Sequence, residues 1–488
     1  MIRHRVTIFN PTDSNEDVIK SVSSNFLEIP PLKGFPREDK YIVPSTTPLP
    51  PTIKLIRVQW RSNFDYNSQT NPLFIEGQTQ QPGLLLYVAP SENVVDADEF
   101  YQDINEYIYE IFKLKVDFNW VASATSVFIS NQDIKELPVQ VKDYTKSVLN
   151  LENEESLSSL LDNTSNLDII IKSDSTTVMT YLQDTSYLPL QKFTVTSPSI
   201  KHEIGIFMLD KEITSVDDIM LSGVRFVIDP SESDSPDDKL HKTLFHVKPR
   251  HRYFPSTRYN VALEEPVGLH PTLQFKFGDL NLDIAKVAEG TDTDSCKLFY
   301  YQLLPKAFFI DKYQLPTQLS LISIYGDTDL EAPEYKIDGW GVEALFEVKQ
   351  LQDFEFTMHS RYQLPTEKSS ELDYVPKVIN KPSIFYACNV HEDANLLKTS
   401  PFDYTDSLAE NIGGYQSYFT ENTAFYHLTQ DEPENRLIIN IPRGKGDIYT
   451  VNQLTLMALG LGITWLTYKC LLIFTGRSRK VTNAKKTE

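Results

Sequence analysis

The feature that most constrains this chain is an apolar run close to its C-terminus. Residues 454–474 read LTLMALGLGITWLTYKCLLIF and carry a single charge, Lys469. A helix of this length spans about 30 Å, the thickness of a bilayer hydrocarbon core. Gly460 and Gly462 would weaken a soluble helix but are common in membrane spans. The run therefore predicts one transmembrane helix, with a buried helix of a soluble domain as the alternative.

The residues after this run, 475–488, are rich in Arg and Lys. The positive-inside rule makes them a cytoplasmic tail and places the large N-terminal part on the other side of the membrane. Lys485 and Lys486 match a di-lysine retrieval signal of endoplasmic reticulum membrane proteins, which cytosolic coat proteins read. The N-terminal stretch MIRHRVTIFNPTDSNEDVIK holds no apolar run typical of a signal peptide. The alternative topology, a tail anchor with a cytosolic body, would hide the two lysines from the coat proteins.

Composition excludes several classes of protein. The chain has 488 residues, of which 41% are hydrophobic and 11% aromatic, enough for a core and too many for a disordered chain. Its net charge of -21 argues against nucleic acid as a partner, because phosphate binding requires clustered Lys and Arg. The length favours two domains, or one domain with large insertions. The 25 Tyr, 27 Phe and 29 Pro against 18 Gly favour β-structure.

The N-terminal half shows both strand and helix patterns. Residues 96–114 space apolar side chains at helical intervals and begin with an Asp that resembles a helix cap. Segments rich in β-branched and aromatic residues predict strands at 53–62, 84–89 and 116–129, with two more inside 203–228. These patterns predict an α+β domain over residues 1–230.

Two polar stretches organise the rest of the prediction. Residues 143–176 are rich in Ser, Asn, Asp and Glu, which indicates a polar insertion, and they hold the only glycosylation sequon, at Asn163. The acidic stretch 229–239 predicts a domain boundary. Strand patterns then recur at short spacing from 240 to 450. The fold class that we predict is mainly β: an antiparallel, sandwich-like domain over 240–450 joined to the α+β domain and one C-terminal transmembrane helix.

The search for catalytic chemistry gives weak candidates. No phosphate-binding loop, nucleophile elbow or zinc-type Cys pair is present, and we expect no metal and no catalytic residue. Cys296 and Cys388 could form a disulfide in an oxidising compartment or remain buried thiols. Asp-x-Asp pairs, which hold a metal-bound sugar nucleotide in some glycosyltransferases, occur at Asp96/Asp98, Asp292/Asp294 and Asp327/Asp329.

Three segments combine polar and aromatic residues more densely than routine loops do. They are 250–253 with 268–271, then 304–315, then 359–365 with the approach to Cys388. His359 and Arg361 are donors that could hold a neighbouring backbone segment, and Tyr362 offers packing with one polar group. The simplest interpretation of these residues alone is a structural polar corner at the end of a strand.

The order of LLPKAFFIDKYQL (303–315), EAP (331–333) and HSRYQLP (359–365), followed by FYAC, resembles the PIG-X family. The resemblance covers about residues 245–475, and residues 1–230 resemble the extended fungal members of the family. The residues that match the two family motifs are His359, Ser360, Arg361, Tyr362 and Pro365 in one, and Asp311 and Tyr313 in the other.

The resemblance implies a function. Members of this family are the stabilising subunit of glycosylphosphatidylinositol (GPI) mannosyltransferase I, endoplasmic reticulum glycoproteins with a luminal body and one C-terminal span. It implies a multi-spanning catalytic subunit as partner, no catalytic residue, cofactor or small-molecule substrate in this chain, and a wider chaperone-like role. Two rival hypotheses are a luminal glycosyltransferase that uses an Asp-x-Asp pair and a cargo receptor of the early secretory pathway.

Overall fold

A computed structural model describes most of the chain. The residues that it leaves undescribed are 11–16, 46, 63–82, 93, 95, 114–119, 123–125, 132–133, 151–153, 183–184, 195–199, 210–220, 231–239, 248–250, 266, 279–294, 328, 338–340, 367–372, 391–414, 421, 431–435, 445 and 475–488. The described part is mainly β, as the sequence predicts.

The N-terminal half is built from fourteen described strands and three helices. The strands are β1 (Ile2–Asn10), β2 (Ser21–Ser23), β3 (Phe26–Ile29), β4 (Arg37–Pro44), β5 (Ile53–Arg61), β6 (Gly83–Pro90), β7 (Val121–Ala122), β8 (Val127–Asn131), β9 (Asn166–Ile171), β10 (Ser175–Leu182), β11 (Gln191–Thr194), β12 (Ile200–Leu209), β13 (Leu221–Ile228) and β14 (Leu240–Val247). The helices are α1 (Ala97–Phe112), α2 (Val139–Leu149) and α3 (Glu154–Asn163).

Eleven of these strands form one large sheet, which we call the N-sheet. Its order is β14-β13-β12-β1-β4-β10-β9-β5-β6-β8-β7, and the neighbours are antiparallel except for β1 and β12. The first strand therefore lies inside the sheet, where Ile2 is paired with Ile200 from the other end of the N-terminal half. The remaining strands form a small sheet in the order β11-β3-β2.

The C-terminal half contains a second large sheet, the C-sheet. Its order is β19-β20-β17-β24-β25-β15-β16-β21, with β15 and β25 parallel. Two strand pairs, β18 with β22 and β23 with β26, lie outside it. The bounds are β15 (His251–Leu263), β16 (Thr272–Phe277), β17 (Lys297–Leu304), β18 (Phe308–Phe309), β19 (Leu319–Gly326), β20 (Val342–Val348), β21 (Phe354–Thr357), β22 (His359–Ser360), β23 (Tyr374–Asn380), β24 (Ser383–Asn389), β25 (Thr423–Gln430) and β26 (Arg436–Pro442), with 3-10 turns at Glu334–Lys336 and Tyr415–Tyr418 and a final helix α4 (Ile448–Phe474).

Helices α1, α2 and α3 cover one face of the N-sheet. Helix α1 begins where the sequence predicts, because the Asp96 carboxylate accepts a hydrogen bond from the backbone N–H of Asp98 at 2.9 Å. Its apolar side chains fall on one face and are buried against the sheet, among them Phe100, Ile104 and Ile108. The helix ends at Lys113, which takes a left-handed conformation.

The other face of the N-sheet packs against the C-sheet. Side chains alternate along a strand, so Tyr301 of β17 faces the N-sheet while Tyr300 faces the opposite core. The shared core contains residues from both halves, including Leu85 and Tyr87 from the N-sheet and Phe385 from the C-sheet. The two predicted domains are therefore joined by an apolar interface.

The structure differs from the sequence-based expectation over residues 143–176. Instead of a polar insertion, this stretch contains the end of α2, all of α3, and β9, which pairs with both β10 and β5 inside the N-sheet. The polar residues mislead because they are the outward positions of short amphipathic elements, whose inward positions bury Leu157, Leu160 and Leu161.

The predicted domain boundary over 229–239 differs as well. Strand β14 still belongs to the N-sheet, where it pairs with β13, and the chain joins the C-sheet only with β15. The change of sheet lies between Val247 and His251. Among the described residues of the predicted strand over 116–129, two short antiparallel strands occur, β7 and the first part of β8.

Helix α4 confirms the helix predicted from the apolar run, although it begins earlier, at Ile448. Within the described residues, its segment Ile448–Ile473 is the one helix long and apolar enough to cross a membrane, with a mean hydropathy of 1.6 and no part buried in the protein. The chain therefore has the make-up of a single-pass membrane protein.

Candidate functional site

Two of the segments singled out from the sequence pair with each other. Strand β18 lies antiparallel to β22, with Phe308 opposite Ser360 and Phe309 opposite His359. The backbone N–H of Arg361 continues the pairing by donating to the carbonyl of Ala307 at 2.7 Å. The pairing joins two separate segments of the chain into one corner. We call this corner, together with the loop 327–336 that Arg361 contacts, the motif corner (305–314, 327–336 and 358–366).

Arg361 holds the motif corner together. Its side chain is 2% exposed, and its guanidinium donates to three backbone carbonyls of one loop. Nη2 donates to the carbonyl of Asp327 at 3.0 Å, while Nη1 donates to the carbonyls of Asp329 and Ala332. A guanidinium is suited to this task because its donors are fixed in one plane. Burial lowers the pKa of Arg361, which nevertheless stays a cation at physiological pH.

The ring of Phe309 contacts both basic side chains of the hallmark motif. The guanidinium carbon of Arg361 lies 4.8 Å from the ring centroid, and the imidazole of His359 stacks at 5.1 Å. His270 meets His359 edge to face at 4.7 Å. Burial lowers the pKa of His359, and the neighbouring His270 lowers it further. His359 therefore acts as a neutral packing ring in this corner.

The segment 268–271 also joins the corner through its backbone. The N–H of Ser360 donates to the carbonyl of Leu269, and the N–H of Met358 donates to the carbonyl of Pro271, both at 2.9 Å. Three segments that stand out in the sequence thus meet in this corner: 268–271, 304–315 and 359–365. Of the part at 250–253, residue 250 lies outside the described residues and residues 251–253 belong to β15, which pairs with β25.

Two glycines allow the chain segments to approach at this point. Gly326 has φ +128°, and a Cβ on it would lie 1.9 Å from the carbonyl oxygen of Gly341. A Cβ on Gly341 would lie 2.0 Å from the carbonyl oxygen of Leu304. Side chains at either position would push apart the strand ends that carry the motif corner.

The second family motif forms a turn at the edge of the corner. The carboxylate of Asp311 accepts the backbone N–H of Tyr313 at 2.9 Å, and its carbonyl accepts the N–H of Gln314. Tyr313 itself is 83% exposed. Asp311 therefore shapes the turn, and the turn presents Tyr313 to the surroundings.

The end of the hallmark motif is tied to the chain just before α4. Thr366 donates its backbone N–H to the carbonyl of Gly444 at 3.0 Å, and its carbonyl accepts the N–H of Gly446 at 2.6 Å. Asp447 then caps the helix by accepting the N–H of Tyr449 and the hydroxyl of Thr450. The motif corner thus lies beside the start of the membrane helix.

Comparisons with known proteins agree with these observations. A sequence model described as PIG-X / PBN1 matches residues 266–471. The chain is 36% identical to Protein PBN1 of Debaryomyces hansenii, over 96% of each chain. Protein PBN1 of Candida albicans is equally similar, at 36% identity and 96% coverage of both chains. This chain belongs to the PIG-X/PBN1 family.

More distant relatives share part of the chain. Protein PBN1 of Saccharomyces cerevisiae is 29% identical over 59% of this chain and 61% of its own length. The PIG-X/PBN1 family belongs to GPI-anchor biosynthesis. The matched region, 266–471, contains the motif corner, the C-sheet strands from β16 to β25 and most of α4.

The Asp-x-Asp pairs have structural uses where the structure describes them. Asp96 caps α1, while the carboxylates of Asp327 and Asp329 accept backbone N–H groups of their own loop at 2.9 Å. The pair Asp292/Asp294 lies outside the described residues. No group of three or more His, Cys, Asp or Glu side chains suited to a metal ion occurs among the residues that were placed.

The structure also places the other predicted site residues. The sulfurs of Cys296 and Cys388 are bonded, and the bridge joins the neighbouring strands β17 and β24 near their ends. Asn163 is exposed at the end of α3, where its side-chain amide donates to the carbonyl of Ser159. Lys485 and Lys486 lie outside the described residues.

Sequence reasoning missed two partners in this region. Phe309 lies at the centre of the motif corner. In the sequence it is one aromatic residue among several, and nothing there distinguishes it from the adjacent Phe308. Lys377 resembles an exposed loop lysine in the sequence. It lies on β23, however, and its Nζ is 2.6 Å from the Glu334 carboxylate at the edge of the corner.

A separate polar cluster lies inside the core that the two sheets share. The hydroxyl of Tyr301 donates to the Glu343 carboxyl at 2.6 Å. Burial raises the pKa of Glu343 to about 7, against a smaller opposing effect of hydrogen bonds from Tyr301 and Tyr418. Burial also lowers the pKa of the nearby His427 to about 3, so that this histidine stays neutral.

Proposed function

We propose that this protein is a non-catalytic subunit that stabilises the multi-spanning catalytic subunit of GPI mannosyltransferase I, the enzyme that adds the first mannose to the GPI precursor. The proposal is supported by membership of the PIG-X/PBN1 family, by the single apolar helix and by the construction of the motif corner. A partner that binds only the folded enzyme shifts it away from unfolding and degradation.

The observation that carries the proposal is the use of the family motif. Arg361, His359 and Asp311 make contacts within this chain, and the most buried of them, Arg361, has its donors directed at backbone carbonyls. A cation used in this way organises a scaffold rather than binding a substrate. The scaffold leaves Tyr313 of the second motif 83% exposed, which is a suitable anchor for a protein partner.

The test compares Arg361→Ala with Arg258→Ala, a matched change at an exposed arginine of β15. Loss of Arg361 leaves three carbonyls without their donor, which should lower the free energy of unfolding by about 2–4 kcal/mol. We expect lower levels of this subunit, of the catalytic subunit and of mannosylated GPI precursor in cells with Arg361→Ala. Arg258→Ala should change none of them.

Tyr313→Ser separates folding from partner binding. This change removes an exposed side chain, so this subunit should remain abundant while the catalytic subunit declines. Normal levels of the catalytic subunit and normal mannosylation in both Arg361→Ala and Tyr313→Ser would overturn the proposal. Defects in other luminal proteins in the same cells would extend the role to a chaperone-like one.

The proposal includes a luminal body in the endoplasmic reticulum. The bridge between Cys296 and Cys388 supports it, because disulfides persist in oxidising compartments. Asn163 is exposed and should carry a glycan if its half of the chain is luminal. An endoglycosidase-sensitive mass shift that is lost in Asn163→Gln is the expected result. Digestion of the body by protease added to sealed microsomes would contradict this topology.

Retrieval through the C-terminal tail is a further part of the proposal. Changing Lys485 and Lys486 to Ser should move the protein to later secretory compartments, because cytosolic coat proteins read this pair of lysines. Cell fractionation measures the effect. An unchanged distribution would show that the span or the partner retains the protein instead.

A further inference from the structure

The segment between Arg361 and Thr366 exposes apolar side chains at a particular place in the molecule. Tyr362 is 65% exposed and Leu364 is 60% exposed, although Arg361 beside them is buried. The backbone of this loop is fixed, because the carbonyl of Tyr362 accepts the backbone N–H of Glu334 at 3.1 Å and the side-chain Nε2 of Gln363 donates to the carbonyl of Arg361 at 2.9 Å. An ordered loop that presents apolar side chains outward indicates a contact surface.

The position of the loop relative to α4 identifies what it contacts. Thr366 is hydrogen-bonded to Gly444 and Gly446, and α4 begins at Ile448. Leu364 is two residues from Thr366, hence at most about 7 Å from it along the chain. A Cβ on Gly446 would also lie 3.4 Å from the Cβ of Pro365. The loop therefore lies alongside the chain that leads into the helix.

The composition of α4 indicates where along the helix the membrane surface lies. Its first residues, Ile448 to Gln453, include Tyr, Thr, Asn and Gln, and the apolar run begins at Leu454. This polar first part of the helix rises about 9 Å, close to the thickness of one headgroup layer, which is about 5–8 Å. The start of α4 thus lies in the headgroup layer, and the loop tied to it lies at the outer edge of that layer.

We propose that the loop 362–365 rests on the luminal leaflet of the bilayer that α4 enters, with Tyr362 and Leu364 in the interfacial layer. Tyr suits this layer because its ring is apolar and its hydroxyl remains hydrated. The body would then be held to the membrane at two points, by α4 and by the loop. Arg361, which fixes the loop to the corner, becomes the residue that transmits this orientation to the C-sheet.

The test uses the full chain in phosphatidylcholine nanodiscs that contain a lipid with a nitroxide on its choline headgroup. Cys470→Ser removes the unpaired cysteine, since Cys296 and Cys388 are bonded to each other. A fluorophore is then attached to a new cysteine at position 364, at 449 or at 187. Tyr449 in α4 is the interfacial reference, and Tyr187, 65% exposed in the N-terminal half, is the aqueous reference.

We expect quenching at position 364 to approach that at 449 and to be at least about twofold that at 187. Equal quenching at 364 and 187 would overturn the proposal. Loss of the quenching at 364 when the catalytic subunit is assembled in the same nanodisc would also overturn it, because the loop would then face protein. Unchanged thermal unfolding of Leu364→Cys establishes that the fold is intact. The assay needs no mannosyltransferase activity, so its failure leaves the proposed function standing.

Discussion

The two large sheets keep polar groups in their interiors by opposite means. In the N-sheet, Asp39 is buried between Arg37, which donates to it through Nε and Nη2 at 2.6 and 2.7 Å, and His4 at 2.8 Å. In the core that the C-sheet shares with it, Glu343 accepts from the hydroxyls of Tyr301 and Tyr418, and the described residues place no cation within salt-bridge distance of it. The N-sheet buries a carboxylate together with its countercharge, whereas the C-sheet buries a carboxyl that has hydroxyl partners and no countercharge among the described residues.

This difference sets opposite responses of the two carboxyl groups to pH. Burial would raise the pKa of Asp39, but Arg37 and His4 outweigh it and lower the pKa to about 2. Burial raises the pKa of Glu343 to about 7. The contribution of Asp39 to stability is lost as pH falls, and that of Glu343 is lost as pH rises. Glu343 thus makes the shared interface sensitive to pH near neutrality, while the Asp39 contribution to the N-sheet is lost only in strong acid.

The largest expected effect comes from removing an aromatic side chain of the shared core. Phe385 is fully buried and contacts the rings of Phe299, Tyr415 and Phe425. Phe385→Ala should lower the free energy of unfolding by about 4 kcal/mol, because the cavity cannot close between two sheets. Denaturant unfolding in detergent measures the change. Phe385→Leu is the control and should lose less than half as much free energy of unfolding. An equal loss would show that the shape of the ring, rather than the buried volume, determines the stability at this position.

The second effect concerns the charged interior of the N-sheet. Asp39→Asn leaves the guanidinium of Arg37 buried without a countercharge. This loss should lower the free energy of unfolding by about 3 kcal/mol at pH 7. The wild type should lose its Asp39 contribution as pH falls from about 4 towards about 2, and the variant should lack this slope. Unfolding midpoints between pH 2 and pH 6 test both statements. A parallel acid response in the variant would contradict them.

The smallest effect is a gain of stability in the shared core. Glu343→Gln keeps an acceptor for Tyr301 and removes the cost of ionisation, so it should raise the free energy of unfolding at pH 8 by about 2 kcal/mol. The difference between variant and wild type should shrink as pH falls from about 7 to about 4.5. Thermal unfolding across this range measures it. A difference that does not depend on pH would mean that Glu343 does not titrate in this window.

Local patterns were sufficient to predict most individual elements. The sequence predicts β5, β6, β12, β13 and most strands of the C-sheet, because β-branched and aromatic runs between turn residues depend only on neighbouring residues. The parallel pairs of β1 with β12 and β15 with β25 were not predicted. They bring Ile2 to Ile200 and His251 to Phe425, and no local pattern carries information over such separations.

The candidate site was predicted in the same partial way. The individual motif segments stand out by composition, and the sequence indicates that Arg361 could hold a neighbouring backbone segment, as it does. How the C-sheet closes determines two contacts that local patterns do not predict. Segment 303–315 pairs with 359–365, and residue 366 pairs with the chain before α4. The stretch 143–176 misled for a related reason. Asp168 looks like a loop residue until β9 places it against Arg57 at 2.6 Å.

The central position of β1 has a consequence for how the chain is made. Its partner β12 begins only at Ile200, so Val6 and Ile8 leave the ribosome long before this strand and part of the core that buries them exist. The C-sheet repeats the delay, since β15 waits for β25, which is followed closely by α4. Pairings of such separation form slowly and leave apolar edges open meanwhile. The nascent body must therefore be shielded until almost the whole chain has emerged, and it completes its sheets only as its own membrane helix is being released.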